Sequence, residues 1–125
     1  MRAPIDVLGS LKYLLLRPFA RQAWARHRAT GLAYRVNLRD VVGRTILRRQ
    51  GYEPGLTRWL LDGLGNDADG VLRDAVFLDV GANIGWFSLQ VGHSGRAGRV
   101  VAIEPDVGNH ALLQQNIRRN RLGER

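Results

Sequence analysis

The sequence predicts an α/β fold, the opening of a doubly wound sheet with parallel strands. Two apolar runs point that way: Ala75-Val76-Phe77-Leu78-Asp79-Val80 and Arg99-Val100-Val101-Ala102-Ile103 read as strands buried on both faces. Each run is followed by a segment of helical periodicity, from Trp86 to about Val91 and from about Val107 to Asn120. Between the first strand and its helix lies a tight turn, Gly81-Ala82-Asn83-Ile84-Gly85. Strand, helix, strand, helix implies a parallel pair joined by a right-handed crossover.

The other elements precede this unit. Residues 5–30 read as one or two helices, with Leu8, Leu11, Leu15 and Phe19 at spacings of three and four and Pro18 as a break or kink. Leu32, Tyr34, Val36 and Leu38 alternate with Arg35, Asn37 and Arg39, the pattern of a half-buried strand. Arg44 to Arg48 reads as a second short strand, completing a hairpin after a turn at Asp40 to Gly43. Pro54 suits the first position of a helix running to about Leu64, with Leu56, Leu60 and Leu64 four apart. Residues 65–70 are rich in turn formers and read as a loop. The inner face of the helix at Trp86 is expected to include Ile84, Phe87 and Val91, and that of the last helix Leu112, Leu113 and Ile117. The expected division is a basic extension over 1–50 and an α/β portion over 51–125.

At 125 residues the chain has room for one small domain, burying roughly two-thirds of its unfolded surface, and not for two full ones. A composition 45% hydrophobic and 24% charged is that of a globular chain and not a disordered one. It contains no cysteine, which excludes disulfides, thiolate metal sites and cysteine nucleophiles and fits a reducing cytoplasm. No segment reaches the roughly 18–20 apolar residues needed to cross a bilayer, and arginines follow Leu11–Leu16 where a signal peptide would carry small residues. A cytoplasmic protein is expected.

The net charge of +8 is lopsided. Residues 1–60 hold twelve Lys and Arg against three Asp and Glu, while residues 61–125 hold seven against eight. The bland account of residues 5–30 is a packing helix with an arginine-rich solvent face. The sharper one is a basic amphipathic helix resting on anionic lipid or a partner. Nucleic acid is disfavoured, because Tyr13, Phe19, Trp24 and Tyr34 do not interleave with the arginines like a stacking platform. His27, His93 and His110 are isolated from one another, and no metal-ligand spacing is present, so no metal is expected.

The chemistry concentrates at the turn. Glycines let a ligand approach the backbone, and the carboxyl ends of adjacent parallel strands are where such sheets bind ligands. Glu104 ends the second strand, nineteen residues beyond Gly85, and can accept hydrogen bonds from both hydroxyls of a ribose. A ribose-containing cofactor follows. A dinucleotide turn reads G-x-G-x-x-G, which Gly81-Ala82-Asn83-Ile84-Gly85 lacks. S-adenosylmethionine, with an ammonium in place of a pyrophosphate, suits an acidic residue two positions before the first glycine, and Asp79 stands there.

Three stretches together resemble one family: Tyr52-Glu53-Pro54, the run from Val76 through Asp79-Val80-Gly81-Ala82-Asn83-Ile84-Gly85 to Leu89, and Val101-Ala102-Ile103-Glu104-Pro105. With Asn116 and Asn120 late in the last helix, they are similar to the FkbM-type methyltransferases over roughly residues 50–122. The resemblance implies a Rossmann-like class I methyltransferase fold, cut after its first two strands and their helices, binding S-adenosylmethionine. It implies that Asp79, Gly81, Ala82, Asn83, Ile84 and Gly85 line the methionine and ribose portion and that Glu104 holds the ribose hydroxyls. Ile103 and Pro105 would flank the adenine, with Glu53 close to the pocket. The implied reaction is methyl transfer to a hydroxyl oxygen of a small molecule or sugar by in-line displacement, in which the protein supplies alignment and desolvation. Later strands of that fold would carry the acceptor site and any base, so no catalytic residue is assigned. The alternatives are a SAM-binding module without turnover or a gene fragment, and after those a nicotinamide-binding fragment. An apolar strand edge left open at residues 75–80 is expected to promote self-association.

Overall fold

The computed structural model describes residues 5–65 and 74–123. The chain divides into two compact units, Met1–Pro54 and Gly55–Arg125. Of the loop expected over 65–70, residues 66–70 lie outside the described residues.

In the first unit, α1 (Val7–Leu16) is followed by β1 (Gln22–Arg26), β2 (Ala33–Asn37) and α2 (Val41–Arg49). Asp6 caps α1, its Oδ2 accepting from the Gly9 N–H at 2.6 Å. The helix ends ahead of Pro18 because proline has no N–H to continue the i→i−4 ladder; Arg17 just before it still keeps helical angles (φ −55°, ψ −32°). Two expectations fail here. The helical reading of 5–30 holds only as far as Leu16, because Gln22–Arg26 is a strand, antiparallel to β2 with Trp24 opposite Arg35 and Ala25 opposite Tyr34. Ala23 and Ala25 face the core, a period-two pattern hidden by the high helix propensity of alanine. Arg44–Arg48 is part of a helix and not the second hairpin strand. Asp40 caps it by accepting from the Gly43 N–H, and Thr45, a residue that favours strands, bonds back to the Val41 carbonyl at 2.7 Å. The hairpin exists, but β2 pairs backwards with β1. Tyr34, Val36, Ile46 and Leu47 form the centre of this unit's core.

The helix expected at Pro54 is present as α3 (Pro54–Gly63). The α/β unit then runs β3 (Val76–Val80), α4 (Trp86–Ser94), β4 (Arg99–Ile103) and α5 (Val107–Arg119). β3 and β4 are parallel, with Val76 opposite Arg99, Asp79 opposite Ala102 and Val80 opposite Ile103. Ile84, Leu89, Val91, Leu112 and Leu113 are buried, as is Asn116, while Phe87 and Ile117 are only half-buried. Burial of the strands on both faces does not hold. Phe77, Asp79, Val100 and Ala102 are half-buried, but Val76, Leu78, Val80, Val101 and Ile103 share an exposed face, Leu78 at 56% and Val80 at 72%. Among the described residues the sheet has two strands, and one of its faces is bare. A mixed α/β fold with a small parallel sheet is therefore what these residues form.

Candidate functional site at the ends of the parallel strands

Parallel pairing brings the carboxyl ends of β3 and β4 side by side, and the chain leaves β3 through a sharply curved turn. Gly81 (φ +79°), Asn83 (φ +52°) and Gly85 (φ +89°) are all left-handed. Asparagine tolerates that conformation better than most residues carrying a Cβ. The glycines serve different ends. Glycine at 85 is required first by its φ of +89°, and a Cβ there would also sit 2.5 Å from Leu113 Cδ1 and 2.9 Å from Leu89 Cδ1, so that these two buried leucines would have to shift. A Cβ on Gly81 would meet nothing within 4 Å, which leaves that side of the turn open to an approaching molecule.

The turn is closed by its own hydrogen bonds. The Gly81 and Ala82 N–H groups both donate to the Ile103 carbonyl at 2.9 Å, and the Gly85 N–H donates to the Ala82 carbonyl at 2.8 Å. The Ile84 N–H donates to Asn83 Oδ1, and the Asn83 N–H to Glu104 Oε2, both at 2.7 Å. All five N–H groups from Gly81 to Gly85 thus have acceptors within the protein.

Two carboxylates frame the turn. Asp79 Oδ2 accepts from both the backbone N–H of Ser88, at 3.1 Å, and its hydroxyl, at 2.6 Å, fixing the first turn of α4 to the end of β3. Asp79 Oδ1 accepts nothing from the described residues. Glu104 spans the gap from β4, Oε2 to Asn83 and Oε1 to the Asp106 N–H at 2.9 Å. A carboxylate has about four acceptor positions, so each Glu104 oxygen keeps one lone pair. The site can therefore accept hydrogen bonds from hydroxyl or ammonium groups and has little to offer a phosphate.

Of the sequence-predicted residues, Asp79, Gly81, Ala82, Asn83, Ile84, Gly85 and Glu104 converge on this turn. Ala82 and Ile84 are buried, their side chains packing while their backbones shape the turn. Pro105 follows Glu104 as an exposed residue. Glu53 belongs to the first unit, exposed and left-handed at φ +42°. Burial, then the Glu53 and Asp40 carboxylates, push the neighbouring Tyr52 phenol above its ordinary value.

Sequence reasoning missed two supporting residues. Ser88 holds Asp79, signalled only by its position in the first turn of α4. Asn116, fully buried, donates from Nδ2 to the Ile84 carbonyl at 2.9 Å and ties α5 to the turn. Asn120 Nδ2 in turn donates to the Asn116 carbonyl at 2.8 Å, which gives the Asn116/Asn120 spacing a structural role. Trp86 is a core residue, its indole N–H donating to Thr57 Oγ1 at 3.0 Å. A cavity of about 210 Å³ between α4, β4 and α5 is lined by residues such as Val100, Ala102, Leu113 and Ile117 and does not include the turn.

No family model matches the sequence, and no significant match was found among curated proteins. Among solved structures, the chain is similar to a crystal structure from Pyrococcus horikoshii named "putative transferase", at 21% identity and a TM-score of 0.58. The match covers 84% of this chain and 34% of that one, so the chain spans about a third of its neighbour's length. At that identity the likeness is one of fold: the chain shares an α/β architecture with part of that protein.

Proposed function

We propose that the turn and its two carboxylates form one wall of an S-adenosylmethionine site, in a methyltransferase of the FkbM type that acts on a hydroxyl of a small molecule or sugar. The observation that carries this reading is the pattern of donors and acceptors. The N–H groups from Gly81 to Gly85 are internally bonded, while Asp79 and Glu104 retain acceptor capacity. A dinucleotide pyrophosphate needs free N–H groups. A ligand bearing an ammonium and two ribose hydroxyls needs acceptors. The transferase name of the structural neighbour, brought to this chain as a proposal, fits the same class.

In this reading Asp79 Oδ1 accepts from the ammonium, Glu104 accepts from the ribose hydroxyls, and the open side of Gly81 admits the ligand's backbone-facing edge. S-adenosylmethionine supplies an electrophilic methyl carbon: transfer to a hydroxyl would form the oxygen–carbon bond as the sulfonium–carbon bond breaks, leaving S-adenosylhomocysteine and giving up the hydroxyl proton to a base. The residues on this wall bind and orient; none of them is assigned proton transfer. A cysteine-free chain of this kind fits a cytoplasmic setting.

Calorimetric titration with S-adenosylhomocysteine tests the proposal, with NAD as the comparison. The chain is expected to bind S-adenosylhomocysteine in preference to NAD, and Glu104→Ala to weaken it at least tenfold, since a hydrogen bond to a charged group contributes about 1.5–3 kcal/mol. Equal affinity in both proteins, or preferential binding of NAD, would overturn the assignment.

A further inference from the structure

α1 carries an apolar stripe that its own unit does not use. Its inward face is formed by Gly9 and Tyr13, with Ser10 and Leu16 half-buried. The outward residues Val7, Leu8, Leu11, Leu14 and Leu15 are exposed, Leu8 at 73%, and at 100° per residue they form one continuous strip. Phe19, just beyond the helix, is 90% exposed.

Leu14 also lines a groove of about 530 Å³ between α1 and α2, together with Val41, Tyr13, Arg17, Arg44 and Arg48. No acidic residue lines it. Arg48 is held in place, its guanidinium 5.9 Å from the centre of the Tyr13 ring and its Nε 3.5 Å from Ser10 Oγ. Arg17 and Arg44 pair with no carboxylate among the described residues. The nearby Asp6 is already engaged by Arg28 at 3.0 Å, by Gln50 at 3.0 Å and by the Gly9 N–H. Residues 1–54 hold eleven Lys and Arg against three Asp and Glu, so the surroundings reinforce the groove's positive potential.

We propose that this face of the first unit docks on an anionic phospholipid membrane. The apolar strip enters the boundary between headgroups and acyl chains, and Arg17, Arg44 and Arg48 along its flank bind lipid phosphates. Charge complementarity selects this occupant. A second copy of the chain would bring the same arginines together, and a soluble polyanion would leave the leucines in water. Guanidinium forks match phosphate oxygens in pairs. α1, ten residues long, lies in the interface; no helix among the described residues is long and apolar enough to cross the membrane.

Vesicle flotation of the 125-residue chain tests this, because self-aggregates sink. The expected result is flotation with vesicles of phosphatidylcholine and phosphatidylglycerol and little with phosphatidylcholine alone. Arg17→Ala with Arg44→Ala should weaken partitioning about thirtyfold, each basic residue near an anionic surface contributing about fivefold. Leu11→Ser with Leu15→Ser, at exposed positions and with circular dichroism to check that the fold is kept, should abolish flotation, while millimolar inorganic phosphate should not compete. Equal flotation with both vesicle types would overturn the proposal. So would full flotation of the leucine variant, displacement by free phosphate, or duplex DNA binding that depends on the arginines in a chain that ignores vesicles. A dimer dispersed by the leucine substitutions, without flotation of the parent, would assign the face to self-association instead.

Discussion

Glycine enters the turn twice for different reasons, and substitution separates them. Gly85→Ala forces a Cβ into Leu113 and Leu89 at φ +89°, combining left-handed strain of about 1–2 kcal/mol with overpacking of about 1–3 kcal/mol. Chemical denaturation is expected to show the second unit destabilised by about 2–5 kcal/mol. Gly81→Ala meets no neighbour and should cost only the backbone strain. That the turn needed small, flexible residues was legible in the sequence, and so was the placement of Asp79 and Glu104 at the carboxyl ends of two parallel strands. What Glu104 does within the protein was not: spacing cannot reveal that its two oxygens hold Asn83 and Asp106. Ser88 and Asn116 escaped for a related reason. Each acts through hydrogen bonds whose partners are fixed only when separate elements pack together.

At the scale of elements, long-range pairing decided the outcomes that local pattern did not. The parallel strands and the helices at Pro54, Trp86 and Val107 announced themselves through apolar runs, helical spacing and a well-placed proline. Gln22–Arg26 did not, because two alanines and five residues fit a helix as well as a strand until β2 supplies the partner. Arg44–Arg48 erred the other way: β-branched Thr45 and Ile46 suggest a strand, but the Asp40 cap and burial of Ile46 and Leu47 favour a helix. The cap of α5 offers a clean test of an element against the site. Asp106 Oδ1 accepts from the Asn109 N–H at 2.8 Å, so Asp106→Ala should lower stability by about 1 kcal/mol in urea denaturation. Since the Asp106 backbone N–H still donates to Glu104, affinity for S-adenosylhomocysteine should stay within about twofold of the parent's.

At the scale of the whole molecule, the sheet face left exposed among the described residues is the dominant fact. A doubly wound sheet carries helices on both faces; here α4 packs on one, and Val76, Leu78, Val80, Val101 and Ile103 line the other. Contiguous exposed apolar surface with unpaired strand edges promotes association. Sedimentation velocity of the 125-residue chain is expected to show concentration-dependent self-association, and Leu78→Glu with Val80→Glu to shift it toward monomer. A monodisperse parent would count against this. The measurement that tests the central claim most directly is amide chemical-shift mapping during titration with S-adenosylhomocysteine. Saturable shifts should concentrate at Asp79–Ser88 and Glu104–Asp106 and be absent with NAD. Shifts confined to other residues, or none at ligand concentrations in the millimolar range, would contradict the assignment of this turn.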